Sequence, residues 1–170
     1  MQLTGKQIVE REIIKGYCAD AIQQQGIDVR VDDIYKVLSD GSALIPMKGK
    51  TSKFNTEKIA WHPKHTGASV IHLEPGYYEI TLMESCSIPN NAVLNFKTRS
   101  SLVRNGMTVY SGQFDAGFNT DAMGCFLEVR FPVTIERGAR IAQAAITETA
   151  EVGSDDLYNG QWQGDKQRNS

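Results

Sequence analysis

Three cysteines among 170 residues, Cys18, Cys86 and Cys125, are too few and too scattered for a disulfide framework. No C-x-x-C spacing occurs, so a structural zinc site is not suggested either, and the three read as reduced, mostly buried thiols. Long apolar runs are missing as well. Nothing approaches the roughly 18 residues of a membrane span, and the first residues lack the charged-then-apolar layout of a signal peptide, so a cytoplasmic location with no membrane partner is expected. Excess charge of one sign is also absent. A formal net charge of -2 leaves no general footprint for DNA or RNA. Any phosphate binding must then be local, and the expected ligand is a small phosphorylated molecule, with no nucleic acid polymer as partner.

What is present suits one domain with a real core, since 41% of the residues are hydrophobic. Thr4-Gly5-Lys6-Gln7 has the spacing of a capping box, and Ile8, Ile13 and Ile14 lie among charged residues, which predicts a short amphipathic helix over 7–14, ended near Gly16. Beyond it the apolar residues fall into short runs, at 27–31, 34–38, 69–73, 77–83, 92–96, 107–110, 126–131 and 141–146. Asp40-Gly41, Glu74-Pro75-Gly76, Pro89-Asn90-Asn91, Asn105-Gly106 and Arg137-Gly138 punctuate them. This rhythm predicts an all-β domain over residues 1–147, a sandwich or barrel with a short N-terminal helix. Residues 48–66 are polar and lysine-rich, and read as a long loop. The tail over 148–170 carries too few apolar residues to build a core of its own.

Two constellations could carry chemistry. Arg99, Ser100, Ser101 and Arg104 set two guanidinium groups and two hydroxyls directly after an apolar strand, donors that suit phosphate oxygens. A surface turn with an N-capping serine would read the same way. Asp115 lies in Gly112-Gln113-Phe114-Asp115-Ala116-Gly117-Phe118, where its carboxylate could take a proton from water beside an aromatic ring. The alternative there is an Asx turn next to a core phenylalanine. The triplet His62, His65 and His72 has no acidic or cysteine partners and reads as a solvated loop.

Taken in order, these segments resemble the dUTPase and dCTP deaminase superfamily over nearly the whole chain, and the archaeal-type dUTPases in particular. The resemblance is carried by Gly26-Ile27-Asp28-Val29-Arg30-Val31, by Leu73-Glu74-Pro75-Gly76 with Glu84 and Ile88-Pro89-Asn90-Asn91, and by 96–106 around Arg99-Ser100-Ser101. Asp115-Ala116-Gly117-Phe118, Gly138-Ala139-Arg140-Ile141-Ala142-Gln143 and the tail segment Leu157-Tyr158-Asn159-Gly160-Gln161-Trp162-Gln163-Gly164 continue it. It implies a distorted β-barrel of the dUTPase-like β-clip type, assembled as a homotrimer with sites at subunit interfaces and a C-terminal tail that closes over bound nucleotide. By the same likeness the substrate is dUTP or a related pyrimidine deoxynucleotide. Arg99, Ser100, Ser101, Arg104 and Gln143 would bind it, with Gly112 in the hairpin, Phe118 on the deoxyribose, and Tyr158, Gln161 and Gln163 from the tail. Lys166 and Arg168 could reach the outer phosphates. Asp28 would stand near magnesium, through water, because magnesium keeps waters and bridges phosphate oxygens.

The superfamily divides between two reactions. In the hydrolases the aspartate matching Asp115 activates water for attack at the α-phosphate, giving dUMP and pyrophosphate. In the deaminases a glutamate on the following strand moves protons at the ring, and without gaps its position here falls on Cys125, a thiol with no carboxylate to offer. Inserting three residues after Phe118 moves the match to Glu128, at the cost of a compensating deletion before Pro132. The ungapped alignment is the simpler, so a dUTP diphosphatase is expected, with a dCTP deaminase or a non-catalytic nucleotide-sensing trimer as the alternatives. No zinc-deaminase pattern is present, so any deamination would be metal-independent at the base.

Overall fold

The computed structural model describes residues 1–64 and 67–164. Two short helices, α1 (Gly5–Glu10) and α2 (Ser100–Val103), accompany fourteen strands among these residues. In chain order the strands are β1 (Ile14–Lys15), β2 (Ile22–Gln23), β3 (Gly26–Val37), β4 (Thr56–Lys58), β5 (His62–Pro63), β6 (Ser69–Leu73), β7 (Gly76–Leu82), β8 (Ser85–Ser87), β9 (Ala92–Thr98), β10 (Met107–Tyr110), β11 (Asn119–Thr120), β12 (Gly124–Val129), β13 (Val133–Glu136) and β14 (Arg140–Glu148). The main sheet runs β10-β12-β7-β3-β14-β9, with β2 and β4 beside β3. Its two edge strands meet where the Thr98 hydroxyl accepts from the Val109 amide at 2.9 Å, so the sheet is an almost closed, distorted barrel. Two small sheets, β1-β8-β11 and β13-β6-β5, complete the wall.

Period-two alternation explains which side chains fill the barrel. On β7, Tyr78, Ile80 and Leu82 point inward; on β12, Cys125, Leu127 and Val129 do, leaving Phe126 and Glu128 on the other face. Ile27, Ile34, Ile71, Leu94 and Ile146 are fully buried in the same core, each contributing about 1.5–3 kcal/mol of apolar burial. Among the described residues no helix is long and apolar enough to cross a membrane.

Two local expectations are corrected. The helix spans Gly5–Glu10, with the capping box between Thr4 and Gln7 in place, but Ile13 and Ile14 lie beyond it. Glu12 turns the chain with φ +53°, and Ile14 pairs with Cys86, so the apolar spacing that suggested helix serves a buried strand instead. The runs at 27–31 and 34–38 are one twelve-residue strand, β3, with a register shift between Val31 and Asp33. That irregularity lets two acidic residues break the apolar pattern: Asp32 pairs with Arg137, and Asp33 with Lys58 and the Trp61 indole.

Glu84 is fully buried in an ion pair with Arg30, and it holds the N-terminal segment onto the barrel. Its carboxylate accepts from the Arg30 amide at 2.9 Å and from Arg30 Nε at 2.7 Å, while the rest of that guanidinium donates to Cys18 Sγ and to the Gly16 carbonyl. Removing one partner of a buried pair strands the other. Glu84→Ala is expected to cost about 3–5 kcal/mol of unfolding free energy, measured as a lower urea midpoint at an unchanged m-value.

Candidate active site

Residues singled out from the sequence gather in two places. The first is the face of β3, β14 and β9 where Gln143 stands opposite Asp28 on one side and Lys97 on the other. Asp28 is 3% exposed. Its Oδ2 lies 3.2 Å from Arg99 Nε and 3.7 Å from Arg140 Nη1, and Arg140 is tied in turn to Asp20 at 2.6 Å. A register shift between Arg140 and Ala142 turns Arg140 toward the face of Gln143, three residues on, which strict alternation would oppose. Burial pushes the Asp28 carboxyl above its ordinary range, against the pull of Arg99 and Arg140. Arg99 is itself the N-cap of α2, without a side-chain capping bond, so no serine caps that helix. Ser100, Ser101 and Arg104 are exposed at the same end, and among the described residues neither serine hydroxyl is engaged.

The second place is a cleft of about 350 Å³ bounded by 111–115, Phe118, the start of β12 and Glu79, with Lys53, Tyr158 and Trp162 above it. Asp115 is exposed in its wall, with Oδ1 accepting from Gln113 Nε2 at 2.9 Å. Gly112 lines the same wall, and Phe118 is buried between Phe114, at 4.8 Å between ring centroids, and Tyr158, edge-on at 5.3 Å. The 115–118 turn is also where the C-terminal segment docks. The Tyr158 amide donates to the Ala116 carbonyl at 2.8 Å. Gln163 donates to the Gly117 carbonyl and accepts from the Asn119 amide, both at 2.9 Å. Gly117 has φ +86°, and a Cβ there would come within 2.8 Å of Leu157, so both the turn and the docking require glycine. Lys166, Arg168 and His65 lie outside the described residues.

These two places do not meet. Leu94 of β9 and Phe114 exchange backbone hydrogen bonds, which fixes Asp115 beside the start of that strand. Arg99 follows five residues later, roughly 16 Å along an extended chain.

Cys125 stands in the cleft wall with its thiol buried and pushed up to about 12, neutral and without acid-base capacity near pH 7. Glu128 is outside the cleft, three residues on along β12. Its Oε2 accepts from the Tyr110 hydroxyl at 2.7 Å, with Arg130 at 3.5 Å, and the tyrosine's hydrogen bond holds its carboxyl below the ordinary range. Sequence reasoning missed Lys53 and Glu79, an ion pair at 3.2 Å on the cleft rim, because nothing local distinguishes a lysine in a polar loop. Arg140 was in view within a motif, but only its bulge reveals where it points.

Fold and cleft define a mostly antiparallel barrel carrying a polar and aromatic cleft beneath its own C-terminal segment. A family model described as dCTP deaminase-like matches residues 2–149, and the chain belongs to that family. It is 33% identical over 152 residues to the deoxyuridine 5'-triphosphate nucleotidohydrolase of Methanocaldococcus jannaschii, covering 85% of this chain and 88% of that one. A probable enzyme of the same name from Halobacterium salinarum is 32% identical over 144 residues, covering 85% and 84%. Among solved structures, the 2'-deoxycytidine 5'-triphosphate deaminase of Agrobacterium tumefaciens shares the fold, with a TM-score of 0.63 at 18% identity over 85% of this chain. The chain spans 47% of that protein's length.

Two measurable consequences arise from this geometry. The native fold binds the Asp28 proton more tightly than the unfolded chain does. That group's contribution to stability therefore falls as pH rises through the ordinary carboxylate range toward its raised native value. Asp28→Asn should flatten that part of the stability profile, measured as melting temperature against pH. Of the three thiols, only Cys18 should react with a thiol reagent in the folded protein at pH 8, and all three in denaturant, since burial pushes Cys86 as well as Cys125 up to about 12.

Proposed function

We propose that the chain is a dUTP diphosphatase, converting dUTP to dUMP and pyrophosphate. The observation that carries this reading is an exposed carboxylate, Asp115, oriented by Gln113 in a cleft whose β12 wall offers a buried thiol and no ring-directed acid. The names of the relatives at 32–33% identity support it.

In this mechanism Asp115 accepts a proton from a water as its oxygen bonds to the α-phosphorus. The bond from that phosphorus to the bridging oxygen breaks, and pyrophosphate leaves with the electron pair. The carboxylate's exposure gives water access to it, and the hydrogen bond from Gln113 holds one of its oxygens. Phe118 and Tyr158 offer apolar faces to the sugar and base. Arg99, Ser101 and Gln143 would hold the phosphates, with Ser100 and Arg104 beside them and Arg140 as a further cation. Arg99 and Asp115 lie at opposite ends of β9, so a complete site needs the phosphate group of one copy against the cleft of another, which a homotrimer provides.

Magnesium fits the donor set only at a distance. Among the described residues no cluster of three ligating side chains exists, and Asp28 has one oxygen engaged by two guanidinium groups. Asp28 could therefore hold it through water, and the ion would supply charge neutralisation on the phosphates. The proposed substrate is a soluble nucleotide of the cytoplasm, and the reading places the enzyme there. Residues 1–147 would form its catalytic unit and 148–170 the tail, of which the described part, to Gly164, lies over the cleft.

The deciding measurement is product analysis with magnesium and either dUTP or dCTP. Release of dUMP and pyrophosphate from dUTP is expected, falling on the order of 10²–10⁴-fold in Asp115→Asn and persisting in Glu128→Gln. Ammonia released from dCTP in a Glu128-dependent manner would replace this reading with a deaminase. A monomeric mass in solution at active concentrations would remove the shared site.

A further inference from the structure

The polar loop that the sequence marks only as a long connection reaches the cleft and grips the C-terminal segment from the side opposite the Asp115 turn. Gln161 bonds one loop residue twice: Nε2 donates to the Thr51 carbonyl at 3.0 Å, and Oε1 accepts from the Thr51 amide at 3.1 Å. Two residues along the loop, Lys53 Nζ sits 4.9 Å from the centroid of the Trp162 ring and 3.2 Å from Glu79 Oε1. The Trp162 amide in turn donates to the Tyr158 hydroxyl at 3.2 Å, which links this anchor to the one at Ala116 and Gly117.

We infer that segment 51–53 is a built seat for the C-terminal strap, with Gln161 and Lys53 as positioning residues that hold Trp162 over the cleft. The strap is thereby held from both sides on its own subunit, by Gln163 on the Asp115 turn and by Gln161 on the loop. Gln161 serves the strap through both ends of its amide, with one donated and one accepted bond on Thr51. Lys53 bridges the two materials of the rim. Its ammonium meets the negative face of an indole on the strap and a carboxylate on β7, so an opening strap strips the cation of one partner while Glu79 retains it in place for closure.

This inference rests on the dUTP reading only for its kinetic arm. Trp162 is one of two tryptophans, so Trp61→Phe leaves it as the sole reporter. In that background and without nucleotide, Lys53→Met and Gln161→Ala are each expected to red-shift Trp162 emission and raise its acrylamide quenching about twofold, at an unchanged melting temperature. With dUTP, both should raise KM about tenfold with a smaller effect on kcat. Unchanged emission and quenching in both variants would overturn the seat. A fluorescence response as expected in a protein that leaves dUTP intact would sustain the seat and remove the diphosphatase reading instead.

Discussion

β9 is the constraint on which the rest of the site depends. It is a seven-residue strand held on one side by β14 in continuous register and at its start by the Leu94–Phe114 bridge, so its two ends cannot approach each other. Arg99, the cation proposed to meet phosphate, sits at one end, and Asp115, the carboxylate proposed to activate water, at the other. A strand cannot fold back within such a sheet without breaking its ladder, so no side-chain motion in one protomer unites them. If both groups act in one site, as proposed, assembly of copies becomes a chemical requirement of the reaction and not an addition to it.

Charge is distributed along the same logic. Buried carboxylates are placed where they hold guanidinium groups still: Glu84 fixes Arg30 as a structural tie, and Asp28 holds Arg99 and Arg140 beside Gln143. The two differ in what surrounds them. Glu84 is satisfied by a backbone amide and a guanidinium nitrogen. Asp28 is left with burial as its largest influence, a state whose native cost a bound cation or a polyphosphate's own counter-charges would change. In the proposed reading this buried carboxylate serves the ligand more than it serves stability.

Much of this was legible in the sequence, and the reasons for the rest are physical. Turn formers between short apolar runs marked an all-β chain, and the strand over 107–110 falls where its alternation places it. The fusion of two runs into β3 was hidden because Asp32 and Asp33 interrupt the pattern, and only partners distant in sequence, Arg137 and Lys58, make them tolerable in a strand. Ile13 and Ile14 mimicked a helical stripe for the opposite reason: a buried strand and a helix turn both want isoleucine there. Asp115, Phe118 and Gln143 could be singled out because their motifs are local. Arg140's direction depends on a bulge, and Lys53's role depends on a tail more than a hundred residues away. Neither leaves a trace in its own neighbourhood.

The C-terminal segment joins these two kinds of information. Its composition excludes a core of its own, and in the structure it gains order from a few backbone-directed bonds and two aromatic contacts at the cleft. Each such bond contributes about 1 kcal/mol net, while fixing each backbone residue costs about 1–2 kcal/mol, so these bonds alone do not lock the strap shut. That balance suits the cover the proposed reaction calls for, one that admits a nucleotide and releases two products. Two polar anchors, Gln161 and Gln163, spend their amides on main-chain groups, which do not vary with side-chain identity, and so define where the strap lies. In the proposed reaction the ligand would supply the remaining free energy that decides when it stays, and exclusion of bulk water, other than the one Asp115 activates, would follow the occupancy of the cleft.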